Sequence, residues 1–263
     1  MIQNGKFIIS LDFELMWGVF DSKSIHSYGK NIEGVRSVIP EILNSFRQYS
    51  ISATWATVGL LFNRNLKQAR ENRPSLLPEY STPSFSAYSH LENVSDSHND
   101  LYVAPELIQL IQSTPKQEIS THTYSHFYCL EKGPTIASFM ADLSQAKQIA
   151  EQFKISIKSI VFPRNQYTAE HLTACQNESI LVYRGNSNHF LYRARNKEDN
   201  SWIVRLGRLI DSYLNISGYN CYPINPLNEQ ELINVPGSRF LRPFSPRLNF
   251  LEGLKIRRIK KSM

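Results

Sequence analysis

A chain of 263 residues with 41% hydrophobic side chains can bury a sizeable core as one large domain or two small ones, and we read it as one. A formal charge of +6 is modest, and no module interleaving basic and aromatic residues accompanies it, which argues against nucleic-acid binding. Cys129, Cys175 and Cys221 are scattered and form no CxxC pair, which excludes a disulfide framework and a thiolate metal site and fits a reducing compartment.

The first apolar run, Phe7 to Leu11, reads as a short buried strand; it is too short for a signal-peptide core and lacks a small-residue cleavage site. Asp12 and Glu14 follow it two residues apart, on one side of an extended backbone, with Phe13 turned to the other. A polar connection rich in Ser and Gly leads to a predicted helix near Val35 to Tyr49, where Val35, Val38, Ile39, Ile42, Leu43 and Phe46 follow the helical period. Ser52 to Thr57 predicts a second strand, ended by Gly59. The apolar run Ala53 to Phe62 is too short to span a bilayer, so a cytoplasmic protein is expected.

Between residues 63 and 103 the pattern fades into Arg, Asn, Ser and Pro, and Pro74, Pro78 and Pro83 exclude a continuous helix; a long loop insertion is expected there. A helix at Pro105 to Gln112, a strand ending near Ser120 and a helix from Ile136 to Phe153 come next. Strands at Ser159 to Phe162 and Ile180 to Val182 flank a helix at Thr168 to Glu178. This alternation predicts an α/β fold, with βα units around a parallel sheet or barrel. After Tyr183 the pattern is less regular, and the basic segment 251–263 carries Lys255, Arg257, Arg258, Lys260 and Lys261. Charge runs usually face water, so this predicts a solvated helix end with at most peripheral contact with an anionic membrane.

The chemistry-bearing residues converge on strand ends. His122 and His126 share a face if the backbone turns helical from His122, and together with one carboxylate of the Asp12/Glu14 pair they make a three-ligand site with room for water, as a catalytic zinc requires. The other carboxylate is then free to act as base. The residues alone leave open which is which. Mixed His and carboxylate donors suit zinc, and also cobalt, nickel or manganese. Asp12, Glu14, His122, His126 and Arg164 all fall at or just past the C-terminal end of a predicted strand, the end that carries active sites in parallel α/β folds. His26, His90, His98, His171 and His189 are read as ordinary core or surface residues.

The wording around these residues is more specific than their spacing. Glu118 to His126 resembles the E-[IV]-x-x-H-T-x-S-H motif of the polysaccharide deacetylase (NodB-like) family, and Ser10 to Glu14, Ala53 to Gly59 and Val161 to Asn165 are similar to family signatures in the same order. The resemblance spans roughly residues 5 to 185. It implies a distorted (β/α) barrel with fewer than eight repeats, and a single catalytic domain over 1–263. The family's first motif has adjacent aspartates; here Phe13 replaces the second and Glu14 follows, so the resemblance implies Asp12 as base and Glu14, His122 and His126 as metal ligands. It further implies that Arg164 pairs with Asp12 and that the Tyr124 backbone N–H helps hold an oxyanion, while Trp17, Tyr124 and Asn165 are read as lining the pocket and facing substrate.

The family's general acid is usually a late histidine, and no histidine follows His189. The expectation is therefore that the natural protein continues beyond Met263, leaving the barrel incomplete here, or that this form is impaired. Asp211 is a secondary candidate for that role, although a surface helix carboxylate is the simpler reading. The function implied is metal-dependent removal of N-acetyl groups from an amino-sugar glycan or precursor, and the basic segment is compatible with a precursor carried on a lipid phosphate. The alternatives are hydrolysis of another linear or cyclic amide, or a catalytically impaired glycan-binding protein.

Overall fold

The computed structural model describes residues 5–199, 201–223 and 232–263. Six parallel strands make one sheet in the order of the sequence: β1 (Ile9–Phe13), β2 (Ala53–Thr57), β3 (Gln117–Thr121), β4 (Ser159–Val161), β5 (Val182–Gly185) and β6 (Ile233–Pro236). Parallel neighbours need crossovers, and these are supplied by α1 (Ile25–Gln48), α5 (Pro105–Ser113), α6 (Ile136–Gln152), α7 (Ala169–Asn177) and α8 (Trp202–Tyr213). The chain ends in α9 (Glu252–Lys260). No helix among the described residues is long and apolar enough to cross a membrane.

The sheet curls strongly. Arg184 on β5 reaches Asp12 on β1 with Nη1 2.7 Å from Oδ1, yet β2, β3 and β4 lie between them in the ladder. Four interstrand spacings in a flat sheet would separate these strands by about 19 Å, far beyond the reach of a guanidinium. The strands therefore wrap part-way round a barrel. Six repeats rather than eight agree with the expected architecture, and the wrap brings the C-terminal ends of distant strands to one mouth.

The core is aromatic and continuous beneath that mouth. Trp17, Tyr102, Tyr124, Tyr128, Phe127, Phe139 and Phe162 are its largest fully buried side chains. β4 is buried along its whole length, which is why Ser159 to Phe162 reads as an uninterrupted core strand.

Two stretches differ from expectation. α1 begins ten residues before Val35, because Ser24 and Ser27 form a reciprocal capping box that starts the helix within the Ser/Gly-rich connection. Residues 63–103 are not a long loop. Asn65 caps α2 (Leu66–Glu71), Ser86 caps α3 (Ala87–Asn93), and α4 (Asn99–Tyr102) follows. The prolines fall outside these helices. Arg70 ties the segment together by donating to the carbonyls of Leu91 and Val94 while pairing with Asp96 at 2.6 Å.

Candidate metal centre and active site

Glu14 leaves the end of β1 and is folded back by Leu15, whose φ of 46° lies in the left-handed region. Gly18 makes space for it: a Cβ there would sit 2.0 Å from Glu14 Oε1 and 2.7 Å from its Cγ. The carboxylate thereby reaches the loop after β3, where Oε2 lies 3.3 Å from His122 Nε2 and 3.0 Å from His126 Nε2. These donor atoms all fall within 4.8 Å of one another, and they are the one group of three His, Cys, Asp or Glu residues among those described that could hold a metal ion. Both imidazoles are buried.

The loop is not helical, so the expected i, i+4 helical face is corrected. Thr123 and His126 instead take left-handed φ values of 63° and 57°, and two such reversals turn both rings to the same side. Neighbouring backbone fixes this shape. His122 N–H donates to Thr57 O, while Gly59 and Leu60 N–H donate to Thr123 O and Tyr124 O. Gly59 is required there, because a Cβ would lie 2.8 Å from the Tyr124 Cα.

From below, the buried carboxylate of Asp142 on α6 accepts from Tyr124 N–H at 2.6 Å, from Ser125 N–H at 3.2 Å and from the Ser125 hydroxyl. Burial pushes this carboxyl up to about 6, against the lowering effect of those donors. Asp142 is a positioning residue that sequence reading missed. Its one signal was an acidic residue within the apolar pattern of a predicted helix.

The donor set fits a divalent cation. His122 Nδ1 lies 2.7 Å from the Val161 carbonyl, which can only accept, so Nδ1 carries the proton and the Nε2 lone pair faces Glu14. Two acceptors 3.3 Å apart repel unless a proton or cation lies between them. Burial lowers the pKa of His126, which disfavours the proton, and its Nδ1 is buried without a partner. Burial alone would raise Glu14, and hydrogen bonds and charge from His122 and His126, when their Nε2 atoms carry a proton, hold it well below the usual carboxylate range instead. Two imidazoles and one carboxylate are donors that zinc accepts.

Asp12 stands apart from the three donors. Arg184 grips it with two prongs, Nη1 to Oδ1 at 2.7 Å and Nη2 to Oδ2 at 3.0 Å, and Asn165 Oδ1 accepts from the same guanidinium at 3.2 Å. The expected Arg164–Asp12 pair is thus corrected. Arg164 has a φ of 53°, which turns it from β4 toward Asp21, at 2.5 Å, and over the Tyr128 ring at 4.0 Å from the centroid. Arg184 was the overlooked arginine. It lies within β5 and is the register partner of Val161, so its side chain emerges beside the His122 contact.

Three further expectations are corrected. Trp17 is fully buried with its indole N–H on Tyr102 O, so it offers substrate no surface. Tyr124 is fully buried as well, and its backbone N–H, expected to hold an oxyanion, is already used by Asp142. Asp211 is no surface carboxylate: it is fully buried, accepts from Tyr192 and Ser217, and pairs with Arg258 at 2.8 Å. His90 and His171 have structural roles, on the Tyr102 hydroxyl and in the cap of α7.

No family model matches the chain, and no curated protein matches it. Solved structures do. A de-N-acetylase from Aggregatibacter actinomycetemcomitans is 12% identical, with a TM-score of 0.42 over 69% of this chain and 63% of its own. A family 4 carbohydrate esterase from Streptomyces lividans is 14% identical, with a TM-score of 0.37 over 70% and 65%. A carbohydrate esterase family 4 pseudoenzyme from Bacillus anthracis is 11% identical, with a TM-score of 0.41 over 98% and 62%. This chain spans less than two thirds of the length of each. The solved structures to which this chain is similar thus include a de-N-acetylase, a family 4 carbohydrate esterase and a pseudoenzyme of that esterase family.

Proposed function

We propose that the protein is a zinc-dependent hydrolase that removes N-acetyl groups from an amino-sugar glycan or glycan precursor. The observation that carries this reading is the meeting of Glu14, His122 and His126 at the barrel mouth, beside a separate carboxylate, Asp12, held by Arg184. A divalent cation bound there supplies Lewis-acid chemistry, polarising an amide carbonyl and making water a stronger acid.

The chain's own residues supply the rest. Glu14 and the two imidazoles hold the cation, with Val161 O fixing the His122 tautomer. Asp12 takes the proton of the attacking water, and Arg184 and Asn165 aim it. Asn165 stands at the edge of this group and contacts substrate. Arg164, flanking His126 across the Tyr128 ring, contributes positive charge to the mouth. The three unpaired cysteines support a substrate handled in the cytoplasm, such as a lipid-linked precursor.

The test is acetate release from an N-acetylated oligosaccharide by zinc-loaded protein. Asp12→Asn is expected to lose about 100-fold to 10,000-fold in rate while keeping its metal. His122→Ala is expected to lose metal affinity by at least about 100-fold, more than the loss of an outer-shell partner. A wild-type protein that binds the oligosaccharide and releases no acetate overturns the reading. One observation favours that second reading of a glycan-binding protein: the Tyr124 N–H is committed to Asp142 and not free for an oxyanion.

A further inference from the structure

The helix α8 is built inside out. Amphipathic helices on a protein surface normally turn apolar residues inward, but here the buried residues include Asp211 and Ser212, while Trp202, Ile203, Leu206, Ile210 and Leu214 are exposed. Trp202 and Ile203 are 66% and 63% exposed. At 3.6 residues per turn, positions 202, 206, 210 and 214 run along one stripe, and with Ile203 they cover an arc of about 120°. The opposite side is held to the protein by polar contacts: Asp211 to Arg258, and the Arg208 Nε donating to Leu191 O at 2.6 Å.

We propose that this face of α8 docks the protein on an anionic phospholipid surface. Charge complementarity selects that occupant. From Ser201 onward the two acidic residues described, Asp211 and Glu252, are both neutralised internally, by Arg258 and Lys255. The exposed charges of this unit are Arg205, Arg247, Arg257, Lys260 and Lys261, and α9, which carries Arg257 and Lys260 and is followed by Lys261, packs against α8. A second copy seated on the same face would bring these like charges together, whereas an anionic bilayer attracts them and takes up the apolar arc. Trp202 at one end of the stripe suits the headgroup level, where indoles concentrate. The inference is independent of the hydrolase reading, because it uses none of the residues at the metal centre.

Flotation of the full chain with vesicles tests it, comparing phosphatidylcholine alone with phosphatidylcholine mixed with phosphatidylglycerol. The wild type is expected to float with the mixed vesicles and not with the neutral ones. Leu206→Gln combined with Ile210→Gln is expected to lower partition at least about tenfold, and Arg257→Glu with Lys260→Glu to lower it likewise, both with unchanged circular dichroism. These two solvent-facing pairs leave the buried Asp211 and Arg258 in place, so each variant separates docking from folding. Absence of flotation, equal flotation with neutral vesicles, or partition untouched by the apolar pair would overturn the proposal. So would a concentration-dependent dimer abolished by Leu206→Gln and Ile210→Gln without vesicle binding, which assigns the face to a second copy.

Discussion

In the region from β1 to β5 the largest fully buried side chains are aromatic and aliphatic, and the buried carboxylate of Asp142 is met by N–H and O–H donors rather than by a charge. In the unit from Ser201 onward the order is reversed: Asp211, Lys255 and Arg258 are buried, while Trp202, Phe240 and Phe250 stand in solvent. The first region is held by removal of apolar surface from water, which tolerates modest changes of shape. The second is held by a polar hub in which Tyr192, Ser217 and Arg258 converge on Asp211. A buried ion pair contributes little net stability when intact, yet loss of one partner strands a charge. The two regions should therefore respond differently to single substitutions.

The largest expected effect follows from that difference. Arg258→Ala leaves the Asp211 carboxylate buried without its guanidinium, at a cost of about 3–5 kcal/mol. Hydrogen exchange should show α8 and α9 losing protection while β1 to β4 keep theirs. Equal loss in both regions would erase the contrast.

Asp142 gives an effect of the opposite kind within the first region. Its carboxyl is raised to about 6, so between pH 4 and pH 6 the folded protein keeps a proton that the unfolded chain releases. Stability contributed by this group is complete below the unfolded value and falls as pH rises through the window, by roughly 3 kcal/mol in all. Asp142→Asn removes the titration. Its deficit relative to wild type, read from urea midpoints, should be largest near pH 4 and narrow toward pH 6.

The smallest effect sharpens the comparison at the candidate metal centre. Gly18→Ala places a methyl where the Glu14 carboxylate lies, but the clash is with the far end of a flexible side chain. Stability should change little. Zinc affinity, measured by competition with a chromophoric chelator, should fall about tenfold, as for other disturbed supports of a ligand.

The contrast also separates what the sequence made legible from what it hid. Five strands were legible, four of them from short apolar runs of the kind a curled parallel sheet buries, although the expected Phe7 to Leu11 and Ile180 to Val182 begin two residues before β1 and β5. The sixth, Ile233–Pro236, is four residues long and only partly buried, so no run announces it. His122 and His126 stood out by type and spacing, but the device that joins them, two left-handed residues in a braced loop, has no periodicity to detect. The partner of Asp12 was ambiguous in principle. Arg164 and Arg184 both follow or occupy apolar strands, and only the β4–β5 register and the turn at Arg164 decide between them. The prolines of residues 63–103 truthfully excluded one long helix, while the Asn65 and Ser86 caps that start two of the three short ones resembled loop composition.

The sheet's order in space is also its order of synthesis, since each strand from β2 to β6 lies beside the one translated before it. A chain emerging from the ribosome thus finds an edge ready for every new strand, and no earlier pairing must open to admit a later one. The three prospective metal donors are present once residue 126 has been made, whereas the arginine that aims Asp12 arrives 172 residues after it. Cation capture at those three donors is consequently possible on the nascent polypeptide before Asp12 has received its guanidinium partner.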